Sequence, residues 1–227
     1  MSDIRAYPSI TPGRVSTDNG GPMGVQSTRD GGLIAADWWM ARAIEGRMFG
    51  VDTATGSTPD TFNATYAAAE PDLYIYVPTN TAIMPVYIAV GFEDTGTAQV
   101  LDVFAIATSA GDSAVTGTTE VINSLHMGAP ISSNCTATSV VTAAGTAPES
   151  GNYFEFWRPY MGFGEDAFNG STGWVNEKVH GASWSAKETG VYPVIPAGGA
   201  LAIYASGQAA TGFITCVFVE LPATMVI

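Results

Sequence analysis

Basic side chains are scarce in this sequence, and their scarcity limits what the chain can bind. The 227 residues include 8 Lys and Arg against 21 Asp and Glu, which gives a formal net charge of -13 at pH 7. A chain this acidic repels phosphate backbones and lacks the attraction on which nucleic-acid affinity depends. We therefore expect no direct binding to DNA or RNA.

Cysteine and histidine are also rare, with two of each. Cys135 and Cys216 have no CxxC spacing and no neighbouring histidine, so neither a zinc site nor a redox motif is indicated. Cys216 lies in an apolar run and is predicted to be a buried thiol, although a disulfide with Cys135 stays open. His126 and His180 stand in no catalytic motif, and the sequence contains no HExxH, GxSxG or P-loop. We predict a protein that is not an enzyme and uses no cofactor or metal.

Long apolar runs are missing as well. No stretch approaches the roughly 18 residues that a membrane-spanning helix needs, and the first residues lack the basic and apolar regions of a signal peptide. We expect no membrane partner.

Two groups of residues with carboxylate or amide oxygens could have a chemical role, but for both a role without chemistry is favoured. Glu165, Asp166 and Asn169 offer oxygen ligands for calcium, although their spacing is not that of an EF-hand and a solvated loop explains them better. A glycosidase needs two carboxylates at a fixed separation. Such a pair could come from Glu155, Glu177 and Glu188, but their spacing in the sequence does not define that separation.

Glycine, proline and residues that favour β-strands are plentiful. The chain has 26 Gly, 13 Pro and only 13% charged residues, which is typical of strands joined by tight turns. Apolar residues alternate with period two in several segments, and the absence of an internal repeat argues against a propeller or solenoid. The expected fold is all-β, an antiparallel β-sandwich of the jelly-roll type. Its domain is predicted to span residues 33–227 after an extended N-terminal arm, residues 1–32.

The alternation predicts which residues share a core face. The predicted core sets are Leu73, Ile75 and Val77; Met84, Val86, Ile88, Val90 and Phe92; Leu101, Val103, Ala105 and Ala107; Phe154 and Phe156; Leu201, Ile203 and Ala205; and Phe213, Thr215, Val217, Val219 and Leu221. The last two sets are predicted to pair as a β-hairpin. Aromatic residues on the opposite faces would be wet in a monomer, which favours subunit packing. They are Tyr74, Tyr76, Tyr153 and Trp157.

The N-terminal region differs from the rest of the chain. Residues 1–32 are rich in Pro, Gly, Ser and Thr, and cannot form a regular helix. Residues 33–49 are ambiguous between helix and strand, and we favour a strand. The first 50 residues hold five Arg and five acidic residues, so the remainder carries the whole net charge of -13. The arm and the body are therefore expected to face different surroundings.

These features together resemble the jelly-roll structural proteins of bacterial viruses, which decorate, cement or spike a capsid. The resemblance is carried by the Pro- and Gly-rich arm, by the strand entries PTNTAI at residue 78 and PAGGAL at residue 196, and by the terminal run FITCVFVE at residue 213. It implies a virion subunit on the capsid surface, a homotrimer that binds a capsid protein through its arm or a sheet edge.

Two sets of site residues are predicted. Residues for attachment to the capsid or to a neighbouring subunit are Tyr7, Ile10, Arg14, Trp38 and Trp39. The alternative function is a carbohydrate-binding or receptor-binding module of a viral fibre or spike, in which exposed rings stack on sugars. Its predicted contacts are Tyr160, Trp174 and Trp184, although the same rings would also serve as the core of their own loop.

Overall fold

The computed structural model describes residues 38–94, 102–159, 181–206 and 210–225. The chain divides into two compact units, with the boundary between Glu45 and Gly46. The predicted arm, residues 1–32, lies outside the described residues.

Strands dominate the larger unit. The helices are α1 (Trp38–Ile44) and α2 (Ala186–Thr189), with short 3₁₀ helices at Pro148–Ser150 and Ala223–Met225. The strands are β1 (Met48–Asp52), β2 (Asp60–Thr61), β3 (Leu73–Tyr76), β4 (Thr81–Asp94), β5 (Asp102–Thr108), β6 (Thr116–Glu120), β7 (Asn123–Ser124), β8 (Thr136–Ala143), β9 (Tyr153–Trp157), β10 (Gly181–Ser185), β11 (Ala200–Ser206) and β12 (Thr211–Pro222).

The strands form two sheets whose pairings are all antiparallel. The first sheet has the order β10-β4-β12-β1-β7, with β2 paired to β12, and the second has the order β6-β8-β3-β11-β5-β9. Phe156 of the second sheet packs edge-on against Trp184 of the first, with ring centroids 4.8 Å apart. The predicted all-β class with packed antiparallel sheets is confirmed.

The longest pairing joins β4 to β12 and contains a bulge. Val217 pairs with Tyr87 and Phe218 with Pro85, so Val86 is an extra residue on β4. Pro85 suits this position because proline cannot donate a ladder hydrogen bond. The bulge shifts the alternation by one residue, and the core prediction for β4 is therefore right beyond the bulge and wrong before it. The residues confirmed as buried are Ile88, Val90 and Phe92; Met84 and Val86 are only half-buried, and Ile83 is buried instead.

The predicted hairpin of the last two strands is wrong. Strand β11 pairs with β3 and β5 in the second sheet, whereas β12 pairs with β1, β2 and β4 in the first. The chain therefore crosses between sheets after Ser206. Strand β11 lies between β3 and β5 in the interior of its sheet, and every residue from Ala200 to Ala205 is buried. The alternation of two successive strands does not distinguish such a crossing from a hairpin.

The core face of β12 is displaced by one residue from the prediction over its first half. Ile214, Cys216 and Phe218 are fully buried, whereas Phe213 and Val217 are half-buried. Both faces of this strand are apolar, so hydrophobicity alone could not assign the inner one.

The outer face of the second sheet carries its own small core, which corrects the prediction that Tyr74 would be exposed to solvent in a monomer. Tyr74 is 1% exposed and Tyr204 is fully buried. The Tyr66 ring lies 5.3 Å from the Tyr204 ring, and the Tyr204 hydroxyl donates a 2.6 Å hydrogen bond to the carbonyl of Ala68. The segment before β3 thus folds over this face. Trp157 is also buried, so it does not need a neighbouring subunit either.

The strand predicted over residues 33–49 is wrong for its central part. Trp38–Ile44 is an α-helix, closed by a hydrogen bond from the Glu45 amide to the Ala41 carbonyl. The helix holds Met40, Ala41 and Arg42, which favour helix, and only its last residue is β-branched. The strand begins later, with β1 at Met48.

Asp72 fixes the covering segment to the second sheet. Its side chain accepts hydrogen bonds from the backbone amides of Asn63, at 2.8 Å, and Ala205, at 2.7 Å, and it is 1% exposed. Burial, reinforced by the nearby Asp60, raises the pKa of Asp72 from its ordinary 3.8 to about 6, although the two amides act in the opposite direction.

We predict that Asp72 makes the free energy of unfolding depend on pH. A raised folded-state pKa means that the folded protein binds the proton more tightly, so this contribution is present at acidic pH and is lost as pH rises from about 4 to about 6. The difference in unfolding free energy between wild type and Asp72→Asn should therefore shrink by up to about 1.4 kcal/mol per pH unit across that range. Urea unfolding, followed by tryptophan fluorescence, measures it.

Asp112→Asn is the matched control for this change in charge. Asp112 also accepts hydrogen bonds from two backbone amides, those of Ala114 and Gly145, but it is only half-buried. An Asp72→Asn penalty that does not change between pH 4 and pH 6 would contradict the role given to Asp72.

Candidate assembly and binding surfaces

The residues predicted for attachment fall in two places. Tyr7, Ile10 and Arg14 lie outside the described residues. Trp38 and Trp39 begin α1, where their rings are 4.5 Å apart in an edge-to-face contact. Trp38 is 37% exposed, and the Arg42 guanidinium lies over its ring. The helix thus carries an accessible aromatic residue beside a cation.

Only one of the three residues predicted for glycan contact lies within the described residues, and it is not on an open surface. Tyr160 and Trp174 lie outside the described residues. Trp184 is only 2% exposed because it fills the core between β10 and Phe156. The expectation of an accessible ring at Trp184 is therefore wrong, and no sugar can stack on it from solvent.

Strand β9 forms an edge of the second sheet and leaves two aromatic rings accessible. Tyr153 is 49% exposed and Phe154 is 60% exposed. Phe154 pairs with Ala107 of β5, in line with Leu201 of β11, and so lies on the predicted core face. It is exposed all the same, because it belongs to the outermost strand.

The segment between β5 and β9 contributes strands to both sheets. Strands β6 and β8 extend the second sheet beyond β3, and β7 adds an edge to the first sheet beside β1. The connection from β6 to β8 carries four exposed apolar side chains, which we call the apolar ridge. They are Val121 at 71% exposure, Leu125 at 37%, Met127 at 77% and Ile131 at 45%.

A cavity of about 450 Å³ opens beside the ridge. Its walls come from β6, β7, the start of β8 and the loop between β7 and β8. Apolar wall residues are Ile122, Pro130 and Ile131, and hydroxyl groups come from Thr119, Ser132 and Ser133. The wall contains one charged side chain, Glu120, which accepts a 2.5 Å hydrogen bond from the Ser139 hydroxyl.

A buried carboxylate holds the loop between β7 and β8 in place. Glu220 of β12 is 6% exposed and accepts hydrogen bonds from the Ser133 hydroxyl and from the Asn134 backbone amide, the latter at 3.1 Å. The Asn134 side chain donates a further one, at 3.4 Å. Glu220 ties the two sheets together at this end, and its charge is directed inward.

Two of the groups that could support catalysis, His126 and Glu155, have structural partners. The His126 ring accepts a 2.9 Å hydrogen bond through Nδ1 from the Ala129 amide, while His180 lies outside the described residues. Glu155 binds Arg158 through both carboxylate oxygens, at 2.7 Å each. Of the other proposed carboxylates, Glu188 is exposed on α2 and Glu177 lies outside the described residues.

Within the described ranges, no three His, Cys, Asp or Glu side chains come close enough to hold a metal ion. The predicted calcium ligands, Glu165, Asp166 and Asn169, fall outside these ranges. None of the described helices has the length and apolar character to cross a membrane.

No protein-family model, no curated protein and no solved structure matches this chain.

Both cysteines are free and buried, which confirms the prediction for Cys216. Cys216 is fully buried in the centre of β12, and Cys135 is 7% exposed where β8 begins. Burial raises the pKa of both thiols, and nearby carboxylates, Asp52 for Cys216 and Glu220 for Cys135, add to the effect.

We predict that neither thiol reacts with Ellman's reagent in the native protein and that both react after unfolding in guanidinium chloride without reductant. The reason is that the reactive thiolate is disfavoured by burial and the reagent has no access. Cys135→Ser and Cys216→Ser assign each signal. Release of no thiol from the unfolded, unreduced wild type would mean that a disulfide links the two residues.

Proposed function

We propose that this chain is a structural subunit of a virion, a capsid decoration, cement or shell protein that stabilises the particle through association of its copies and docking of its N-terminal region. The observation that carries the proposal is the strand order of the two sheets, and the apolar surface of the segment between β5 and β9 supports it.

Eight of the strands support a jelly-roll topology. In chain order they are β1, β3, β4, β5, β9, β10, β11 and β12. Numbered first to eighth, they give the order first-eighth-third-sixth in one sheet and second-seventh-fourth-fifth in the other. This is the order expected when two Greek keys wind into a jelly roll, an architecture used by viral capsid proteins and by lectins. Fold alone does not define function, so the surfaces must decide between such uses.

The surfaces favour assembly over sugar binding. Exposed large apolar residues cluster on the ridge, and Tyr153 and Phe154 line an edge strand. Surfaces of this kind are typical of protein contacts. The sugar-binding alternative loses one of its three rings, because Trp184 is buried in the core.

The N-terminal region is the proposed attachment element. The first 50 residues of the chain, which include the arm and α1, carry equal numbers of basic and acidic residues, while the rest of the chain carries the net charge of -13. The balanced region can therefore approach an acidic shell or a second acidic body with less repulsion than the body itself. Trp38, exposed on α1 beside Arg42, is suited to such a contact.

We predict that purified virions encoding this chain contain it on their outer surface. Immunogold labelling with antibodies against the chain should decorate intact particles, and light scattering of the isolated protein should give the mass of three 23.6 kDa chains.

A variant that lacks residues 1–32 should bind particles from a strain lacking the gene much more weakly than the full chain, because it has lost the attachment element.

The variant Trp38→Ala keeps residues 1–32 and removes only the exposed aromatic side chain of α1. Its particle binding should fall between those of the full chain and the truncation. Virions free of the chain would contradict the proposed function, whereas normal loading of the truncated chain would remove the N-terminal region from it.

A further inference from the structure

The cavity beside the apolar ridge is lined by edge strands of both sheets. Strand β6 is the last strand of the second sheet, β7 is the last strand of the first, and residues of both contribute to the walls. The loop between β7 and β8 completes them. A hollow of about 450 Å³ has room for a small molecule or for one long side chain of another protein.

Glu120 gives this cavity its charge. It lies opposite Ala137 of β8, and Ala137 and Ser139 are both fully buried, so the Glu120 side chain is on the inner face of the second sheet. Its diagonal neighbour on that face, Ser139, donates the 2.5 Å hydrogen bond to Oε1. The other oxygen, Oε2, has no hydrogen-bond or ion-pair partner within the described part of the chain. One oxygen is therefore held in place, and the other is available to a ligand.

The charges of the wall favour a cation. None of the wall residues is Lys, Arg or His, so an anion would meet the Glu120 carboxylate without a counter-charge. A half-buried carboxylate without a counter-ion is stabilised by a cation, and the net charge of -13 attracts cations to the chain. A calcium ion takes about six to eight oxygen ligands, usually with several carboxylates. Glu120 is the only carboxylate of the wall, which disfavours such an ion.

Hydrogen-bonding geometry favours a primary ammonium group. A guanidinium prefers to bind both oxygens of a carboxylate, but Ser139 already donates to Oε1 of Glu120. An ammonium is a compact charge with three donors, which one carboxylate oxygen and two hydroxyl groups can satisfy. Ser132 and Thr136 belong to the walls, and neither hydroxyl has a hydrogen-bond partner among the described residues.

The rest of the wall suits an aliphatic chain better than a sugar. Ile122, Pro130 and Ile131 supply apolar surface against which methylene groups can pack while the charged end stays with the polar groups. Sugar rings stack on aromatic side chains, and none of the wall residues is aromatic.

We infer that this cavity binds a primary alkylammonium group, with the ammonium on Oε2 of Glu120 and the alkyl chain against Pro130 and Ile131. A free aliphatic amine and a lysine side chain of another protein both present this group. The inference goes beyond the proposed function and does not depend on it, because it follows from the walls of one cavity and not from assembly.

Calorimetric titration of the full chain with n-butylammonium chloride at neutral pH tests the binding. n-Butanol has the same carbon chain without the charge, and it should bind at least about 10-fold more weakly, because charge-assisted hydrogen bonds are the stronger ones. Raising sodium chloride from about 0.05 M to about 1 M should weaken the binding of n-butylammonium, since salt screens the attraction. This comparison uses the wild type alone and needs no variant to fold.

Glu120→Gln locates the site, and Glu188→Gln is its matched control. Glutamine keeps an oxygen that can accept the Ser139 hydrogen bond but removes the charge, so the affinity for n-butylammonium should fall at least about 10-fold. Glu188 is exposed on α2, outside the cavity, so its substitution removes the same charge and should leave the affinity unchanged. The unfolding temperature of each variant, compared with that of the wild type, shows that it is folded.

Ile131→Ala tests the alkyl contact without changing Glu120. Ile131 is 45% exposed and lines the cavity, so its truncation should be tolerated by the fold and should weaken n-butylammonium by about 3-fold. Val121→Ala shortens another exposed residue of the same connection that does not line the cavity, and it should have no effect.

Two further ligands separate the sources of the ammonium group. Nα-acetyl-lysine N-methylamide binding as tightly as n-butylammonium would mean that the cavity admits a lysine side chain of another protein, whereas binding of n-butylammonium and 1,4-diaminobutane alone would mean a free amine. Equal affinity for n-butylammonium and n-butanol, or no binding of either, would overturn the inference. An affinity that Glu120→Gln leaves unchanged would overturn it too. None of these results bears on whether virions contain the chain.

Discussion

The pairing of β4 with β12 is the constraint on which the rest of the fold depends. It runs along the whole of both strands, from Thr81 to Asp94 and from Thr211 to Pro222. Strand β1 adds to the free edge of β12 and β10 to the free edge of β4, so the first sheet is built outward from this pair. The bulge at Val86 sets which residues of β4 face the core before and after it. A slip of one residue would expose Ile88 and Val90 to solvent.

The sequence determines the strands more firmly than their partners. Period-two alternation identified β3, β4, β5 and β12, because a strand with one buried face must alternate. It could not decide that β11 and β12 belong to different sheets, since that depends on contacts between residues far apart in the chain. Nor could it show that Tyr74 and Tyr204 lie under the segment before β3, because an aromatic residue on an outer face looks the same whether a subunit or the chain itself covers it.

The candidate surfaces were harder to find than the fold. Residues 121–131 have neither alternation nor a chemical motif, so a pattern search passes over them. The Val, Leu, Met and Ile residues of this segment lie in a run without charged residues, but longer charge-free runs form buried strands elsewhere in the chain, so this feature does not distinguish the segment. Trp184 shows the opposite error. Its position near glycines suggested an exposed loop. Trp184 instead lies in the short strand β10, and its ring packs against Phe156 in the core.

The two sheets differ in how their outer faces are covered, and this difference directs where neighbours can bind. The second sheet buries Tyr74 and Tyr204 of its outer face under the segment anchored by Asp72, so the chain itself covers this part of the face. The segment between β5 and β9 does the reverse at the edges beside β1 and β3, because it extends both sheets and leaves its own apolar residues outside. A protein that needed only to fold would gain stability by burying them. Exposed apolar residues grouped in this way are typical of surfaces that contact other proteins.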